Sequence, residues 1–172
     1  MKKLLLPFGF ACILFTASSC TDHEVDGMLS RTDRDFMIKA ADSNLFEIKA
    51  GEMATGKAVV DSVRHYGEHM VTDHSKATAE MMALAHKKML DLPEMLSMDK
   101  QKKLDSLAMM NGMAFDSLYM TMMVKSHIET IDLFQTETTL GDDPEVKSFA
   151  AGKLPTLHHH LEEAIELKEW LW

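Results

Sequence analysis

The sequence predicts an all-α protein: an antiparallel four-helix bundle with a short extra helix in one long connection and a Pro-kinked last helix. Three observations carry this reading. From Asp33 onward β-branched runs are absent and Ala, Leu, Met, Glu and Lys, all good helix formers, dominate. Breaks at Gly56, Asp91-Leu92-Pro93, Asn111-Gly112 and Gly141-Asp142-Asp143-Pro144 divide the chain into four long segments and one short one. Finally, Tyr66-x3-Met70-Val71-x2-His74 returns as Tyr119-x3-Met123-Val124-x2-His127, with the same internal spacing and a 53-residue offset. Each copy sets a methionine and a histidine one turn apart on one helix face, which points to a pseudo-symmetric bundle with a polar centre.

The N-terminal residues are read apart from the fold. Lys2 and Lys3 precede a twelve-residue apolar stretch, Leu4 to Phe15, too short to span a bilayer as a stable helix. Ala17-Ser18-Ser19-Cys20 follows and resembles a bacterial lipoprotein signal, with Ala17 where leucine is more usual. Residues 1–19 are then a signal peptide, Cys20 is the lipidated first residue, and the membrane is a partner through that lipid; ordinary secretion is the alternative. Residues 20–32 are polar, acidic and without periodicity, a flexible tether. Asp22 and Glu24 loosely resemble a surface-export signal. The expected location is the bacterial cell envelope, periplasmic or outer-membrane, with the surface-exposed side included.

Cys12 lies in the discarded segment and Cys20 carries lipid, so the mature domain has no thiol for a disulfide, a thiolate metal site or a nucleophile. Residues 33–172 must hold together by packing alone, and their length suits one domain. Removal of Lys2 and Lys3 leaves 16 basic against 27 acidic residues, a formal −11 with His neutral. Such a surface repels phosphate backbones and argues against nucleic acid as a partner.

The elements follow in order. Helix 1 is expected over 33–55, with Asp33 as N-cap and Gly56 as its stop. Helix 2 covers 58–90, a short polar helix 98–109, and the third long helix 113–140. The last starts at Pro144, which suits a first turn, and Pro155 should kink or break it.

A helical wheel sorts the nine histidines. His74 falls on the apolar stripe of helix 2 with Val59, Val63, Tyr66, Met70, Ala77, Met81 and Leu84, whereas His65, His69 and His86 fall off it. His127 lies between Met123 and Ile131 on the third long helix. On the last, His160 lies with Leu157, Leu161, Ala164, Leu167 and Leu171, while His158 and His159 point away. On helix 1, Glu47 sits amid a small-residue face of Phe36, Ala40, Ser43, Ala50, Gly51 and Ala54. Glu47, His74, His127 and His160 are all near mid-helix, so an up-down bundle brings them into one layer.

A carboxylate in a dry core is costly unless paired or metal-bound. One Glu and three His suit a divalent first-row metal: zinc, iron, manganese or copper. A metal-free hydrogen-bond network around Glu47 is the other reading. No Glu-x-x-His occurs in the chain, so di-iron chemistry of the carboxylate type is disfavoured. Met81-Met82, Met109-Met110 and Met122-Met123 offer thioethers to Cu(I), although methionine is also a common core filler, the role assigned to Met70, Met81 and Met123. The Met70/His74 and Met123/His127 pairs make copper the leading metal. Met70, Asp73, Tyr119 and Met123 are candidates for supporting the site from outside the ligand set. Phe115-Asp116 beside Tyr119 reads either as part of that support or as a capped turn. Gly141-Asp142-Asp143 reads as a loop and cap, and Trp170 and Trp172 as closing the bundle's end or touching a partner.

Phe36 to Glu47, Met70-Val71-Thr72-Asp73-His74, Phe115-Asp116-x2-Tyr119, Met123-Val124-x2-His127 and Leu154-Pro155-x-Leu157-x2-His160 together resemble the exported bacterial proteins grouped as domain of unknown function 4142. The resemblance implies a ferritin-like fold and export. It places that family's characteristic Glu and three His on Glu47, His74, His127 and His160. Ser126 departs from the aspartate often found before the second-repeat histidine, while Asp73 keeps the acid in the first repeat. A more distant likeness, in the Met/His helix pattern, is to ferritin-like copper-binding proteins of the periplasm. The leading functional reading is a non-enzymatic envelope lipoprotein that binds one metal ion (copper, zinc or iron) at the Glu/His3 layer. The alternatives are a structural or stress-related envelope protein with a metal-free layer, and a metal-dependent oxidoreductase. The last needs an open pocket or vacant coordination position beside the layer, and the sequence shows neither.

Overall fold

Each break expected from the sequence lies at or within a few residues of a helix end. The computed structural model describes residues 29–171; the signal segment, Cys20, the tether up to residue 28 and Trp172 lie outside these residues. Five helices follow: α1 (Arg31–Lys57), α2 (Asp61–Lys87), α3 (Met98–Ala108), α4 (Gly112–Leu140) and α5 (Pro144–Trp170). No strand occurs among the described residues.

Several boundaries differ from expectation, each for a local reason. α1 starts two residues before Asp33, because Ser30 is the N-cap and accepts from the Asp33 N–H at 3.2 Å. Gly56 does not stop α1, which runs on to Lys57 before the chain extends at Ala58. α2 is shorter than 58–90, since Val60 is extended and Met89 takes a positive φ of 53° just past the C-cap. Val59 therefore precedes the helix and is 55% exposed instead of inward. Pro155 does not break α5, which continues helical beyond it. Trp170 is 70% exposed and does not close the bundle's end.

α1 packs on α2 and α4 on α5, as two hairpins; α1 meets α4, and α2 meets α5. Direction is fixed by two carboxylates. Asp33, at the start of α1, accepts the backbone N–H groups of Asp142 and Asp143 just past α4. Asp116, at the start of α4, accepts those of Val59 and Val60 in the turn between α1 and α2. Neighbouring long helices are thus antiparallel, and α2 and α4 run parallel on a diagonal. The long connection carrying α3 returns the chain along α1 and α4, giving one crossover, the ferritin-like arrangement. α3 is tied down by Asp42, which accepts from the Ser97 N–H and hydroxyl, both at 2.8 Å.

Parallel diagonal helices explain the 53-residue repeat. Equivalent residues stand at equal heights, so Tyr66 meets Tyr119 edge to face at 6.1 Å and His74 meets His127 at 5.7 Å between ring centroids. The hairpin α1/α2 closes tightly at glycines. A Cβ on Gly51 would lie 2.8 Å from the Gly67 carbonyl, so alanine there must push the helices apart. Apolar residues fill the core on both sides of the polar layer: Phe46, Tyr66, Met70, Phe115 and Met123 towards one end, Phe36, Met81, Phe134 and Leu157 towards the other.

Candidate metal centre

Four helices each contribute one polar side chain to the middle of the core. Glu47 and His127 have no exposed surface, and His74 and His160 are 3% and 2% exposed. The three imidazole centroids form a near-equilateral triangle of 5.4, 5.5 and 5.7 Å. Glu47 Oε2 is 3.1 Å from His74 Nε2, and Glu47 Oε1 is 3.6 Å from His127 Nδ1. The layer inferred from the helical wheel is therefore assembled, with all four residues in it.

Each imidazole is held by its outer nitrogen. His74 Nδ1–H donates to Asn44 Oδ1 at 2.9 Å, His127 Nδ1–H to the Met123 carbonyl at 2.9 Å, and His160 Nε2–H to Asp73 Oδ2 at 3.0 Å. An anchored N–H fixes the tautomer and leaves the other nitrogen as a bare lone pair. Those inner nitrogens, His74 Nε2, His127 Nε2 and His160 Nδ1, are buried without a hydrogen-bond partner, as is Glu47 Oε2. The three histidines offer ligand atoms within 4.8 Å of one another. Glu47 Oε2 and His74 Nε2 lie within reach of one shared proton, while His127 Nε2 and His160 Nδ1 face no donor among the described residues.

Charge tells the same story. Burial pushes the His160 imidazole down to about 4, reinforced by His74, against the upward pull of Asp73. Burial also lowers His74, although Glu47 draws it up. Burial raises the Glu47 carboxyl, but His74, His127, the Ser126 hydroxyl and the Lys100 ammonium outweigh it and hold the group below its usual value. The layer thus sets one buried carboxylate among three buried imidazoles.

The supporting residues divide. Asp73 acts as expected, but on His160 across the α2/α5 seam and not within its own repeat. Met123 supports His127 through its backbone carbonyl, not its thioether. Met70 packs in the core, and the Tyr119 hydroxyl is buried without a partner. Asp116 proves to be a capped turn. Met81 is buried while Met82 is 60% exposed, so that doublet splits between core and solvent. Two residues escaped the sequence reading. Asn44 lies one turn before Glu47 on the same face of α1. Ser126, noted only as a departure, donates to Glu47 Oε1 at 2.7 Å. The structure also shows what the sequence could not: a cleft of about 120 Å³ between α2 and α5, lined by Asn44, Asp73, His74 and His160 among others.

Residues 18–167 match the domain of unknown function DUF4142. The chain belongs to that family. No curated protein matches it in sequence. In fold it is similar to a DUF305 fragment from Deinococcus radiodurans (TM-score 0.73, 10% identity, covering 83% of this chain and 98% of that one). A DUF305 protein from Streptomyces coelicolor is similar at TM-score 0.70 and 11% identity, over 81% of this chain and 92% of the other. CopM, solved in the Cu(II)-bound form, is similar at TM-score 0.66 and 15% identity, over 81% of this DUF4142 chain and 97% of its own. At these identities the likeness concerns the fold.

Proposed function

We propose that this DUF4142 protein is an envelope lipoprotein, anchored through Cys20, that holds one metal ion at Glu47, His74, His127 and His160 as a binding protein and not as an enzyme. The observation that carries the metal reading is the set of three buried imidazole nitrogens, each without a donor and each anchored behind, around a carboxylate oxygen in the same condition. Neutral imidazoles and one carboxylate suit zinc, iron or copper. A bound ion would balance the Glu47 carboxylate. The chain's own residues do the rest: Asn44, the Met123 carbonyl and Asp73 orient the rings, and Ser126 fixes Glu47 Oε1 so that Oε2 faces His74. Copper is the first metal to load, given the Met/His repeat and a fold shared with CopM in its Cu(II)-bound form. The anchor rests on the N-terminal sequence, Lys2 to Cys20.

The test is Cu(II) loading followed by electron paramagnetic resonance. Nitrogen superhyperfine structure from three imidazoles is expected, reduced to two in His160→Ala with affinity down about 10- to 100-fold. A protein that takes up no copper, zinc or iron above background would sink the reading and favour the metal-free layer.

A further inference from the structure

The cleft beside the triad has a chemistry of its own. Asn44 is 3% exposed and lines it. Its Oδ1 is taken by His74, while its Nδ2, with two N–H donors, has no acceptor. A buried amide donor left unmet is costly, and its natural complement is an acceptor atom lodged in the cleft. His160 also lines the cleft, and its inner Nδ1 is bare. Lys76 and Lys153 stand among the lining residues with Asp73. Lys153 pairs with Glu80, and Asp73 is engaged by His160, whereas Lys76 has no ion-pair partner among the described residues. The Asp73 carboxylate opposes an anion, and the Lys76 ammonium offsets it. Deeper in, one carboxylate against a divalent ion leaves a single positive charge in a dry layer, which one monoanion cancels.

Resting on the metal reading above, we infer that this cleft takes a small monoanion of two or three heavy atoms beside the metal, held by the Asn44 amide N–H and admitted between α2 and α5. A volume of about 120 Å³ has room for such an ion.

The experiment uses the full chain loaded with Cu(II), with copper content measured in every sample and sodium azide as probe. Saturable growth of an azide-to-copper charge-transfer band, with a matching change in the paramagnetic spectrum, is expected. Thr156→Trp and Ala77→Leu fill the cleft from positions outside the ligand set. Both should weaken azide by about tenfold or more with copper content unchanged. Copper-loaded protein that ignores saturating azide, or two filled variants that bind it like the parent, would overturn the inference. Absence of copper itself overturns the metal reading first, and that failure is visible in the metal analysis alone.

Discussion

Asp116 and Glu47 are both carboxylates with no exposed surface, one at an end of the bundle and one at its middle. Around Asp116, the backbone N–H groups of Val59 and Val60 point in, so its charge is met by donors and it caps the start of α2, where Val60 has no side-chain cap of its own. Asp33 does the same at the far end, for the turn before α5. Around Glu47 a single hydroxyl donates to Oε1, and Oε2 has only the His74 imidazole, at 3.1 Å. Burial alone therefore says little about function. The count of donors around the buried charge separates a structural carboxylate from one poised for a ligand.

That comparison can be broken experimentally. Asp116→Ala should cost about 2 kcal/mol, the value of a good helix cap, read as a lower midpoint in denaturant, and leave metal uptake unchanged. Glu47→Gln should instead abolish metal uptake and cost the metal-free protein about 1 kcal/mol or less, since one hydroxyl is its only hydrogen-bond donor among the described residues. A Glu47→Gln protein destabilised as much as Asp116→Ala, with metal uptake unchanged, would place Glu47 with the structural carboxylates. Asp73→Asn weakens the hold on His160 and should lower metal affinity about tenfold in a competition titration, with thermal stability nearly unmoved.

The smallest effect concerns Glu137, at the end shared with Asp33. Burial and the nearby Asp33 carboxylate push its carboxyl up to about 8. A carboxyl raised in the folded state binds its proton more tightly there than when unfolded. Its contribution is thus complete below its ordinary value of 4.5 and is lost as pH rises through about 8. Glu137→Gln should flatten that decline, by about 1 kcal/mol, in melting curves taken between pH 5 and 9. An unchanged pH profile in the variant would show that Glu137 does not hold the proton.

Much of this was legible in the sequence, and the rest was hidden for identifiable reasons. The four layer residues were readable because 3.6-residue periodicity fixes which face each occupies, and mid-helix position fixes depth. Asp33 was misread as the cap of its own helix, although Ser30-x-x-Asp33 carries the signature of a cap three residues earlier. Asn44 could have been found from its place one turn before Glu47. The Asp73–His160 pairing and the cleft could not, since both depend on how α2 and α5 face one another across the bundle. Ser126 read as a loss because only the residue it departs from was considered, whereas its hydroxyl is the sole donor that Glu47 receives among the described residues.

The most direct measurement is elemental analysis of the purified protein beside the double variant Glu47→Gln/His74→Ala. About one metal ion per parent chain, as four ligands from one layer imply, and none in the variant is the predicted result. No metal in the parent even after loading with copper, zinc and iron, or equal metal in both, would contradict the account.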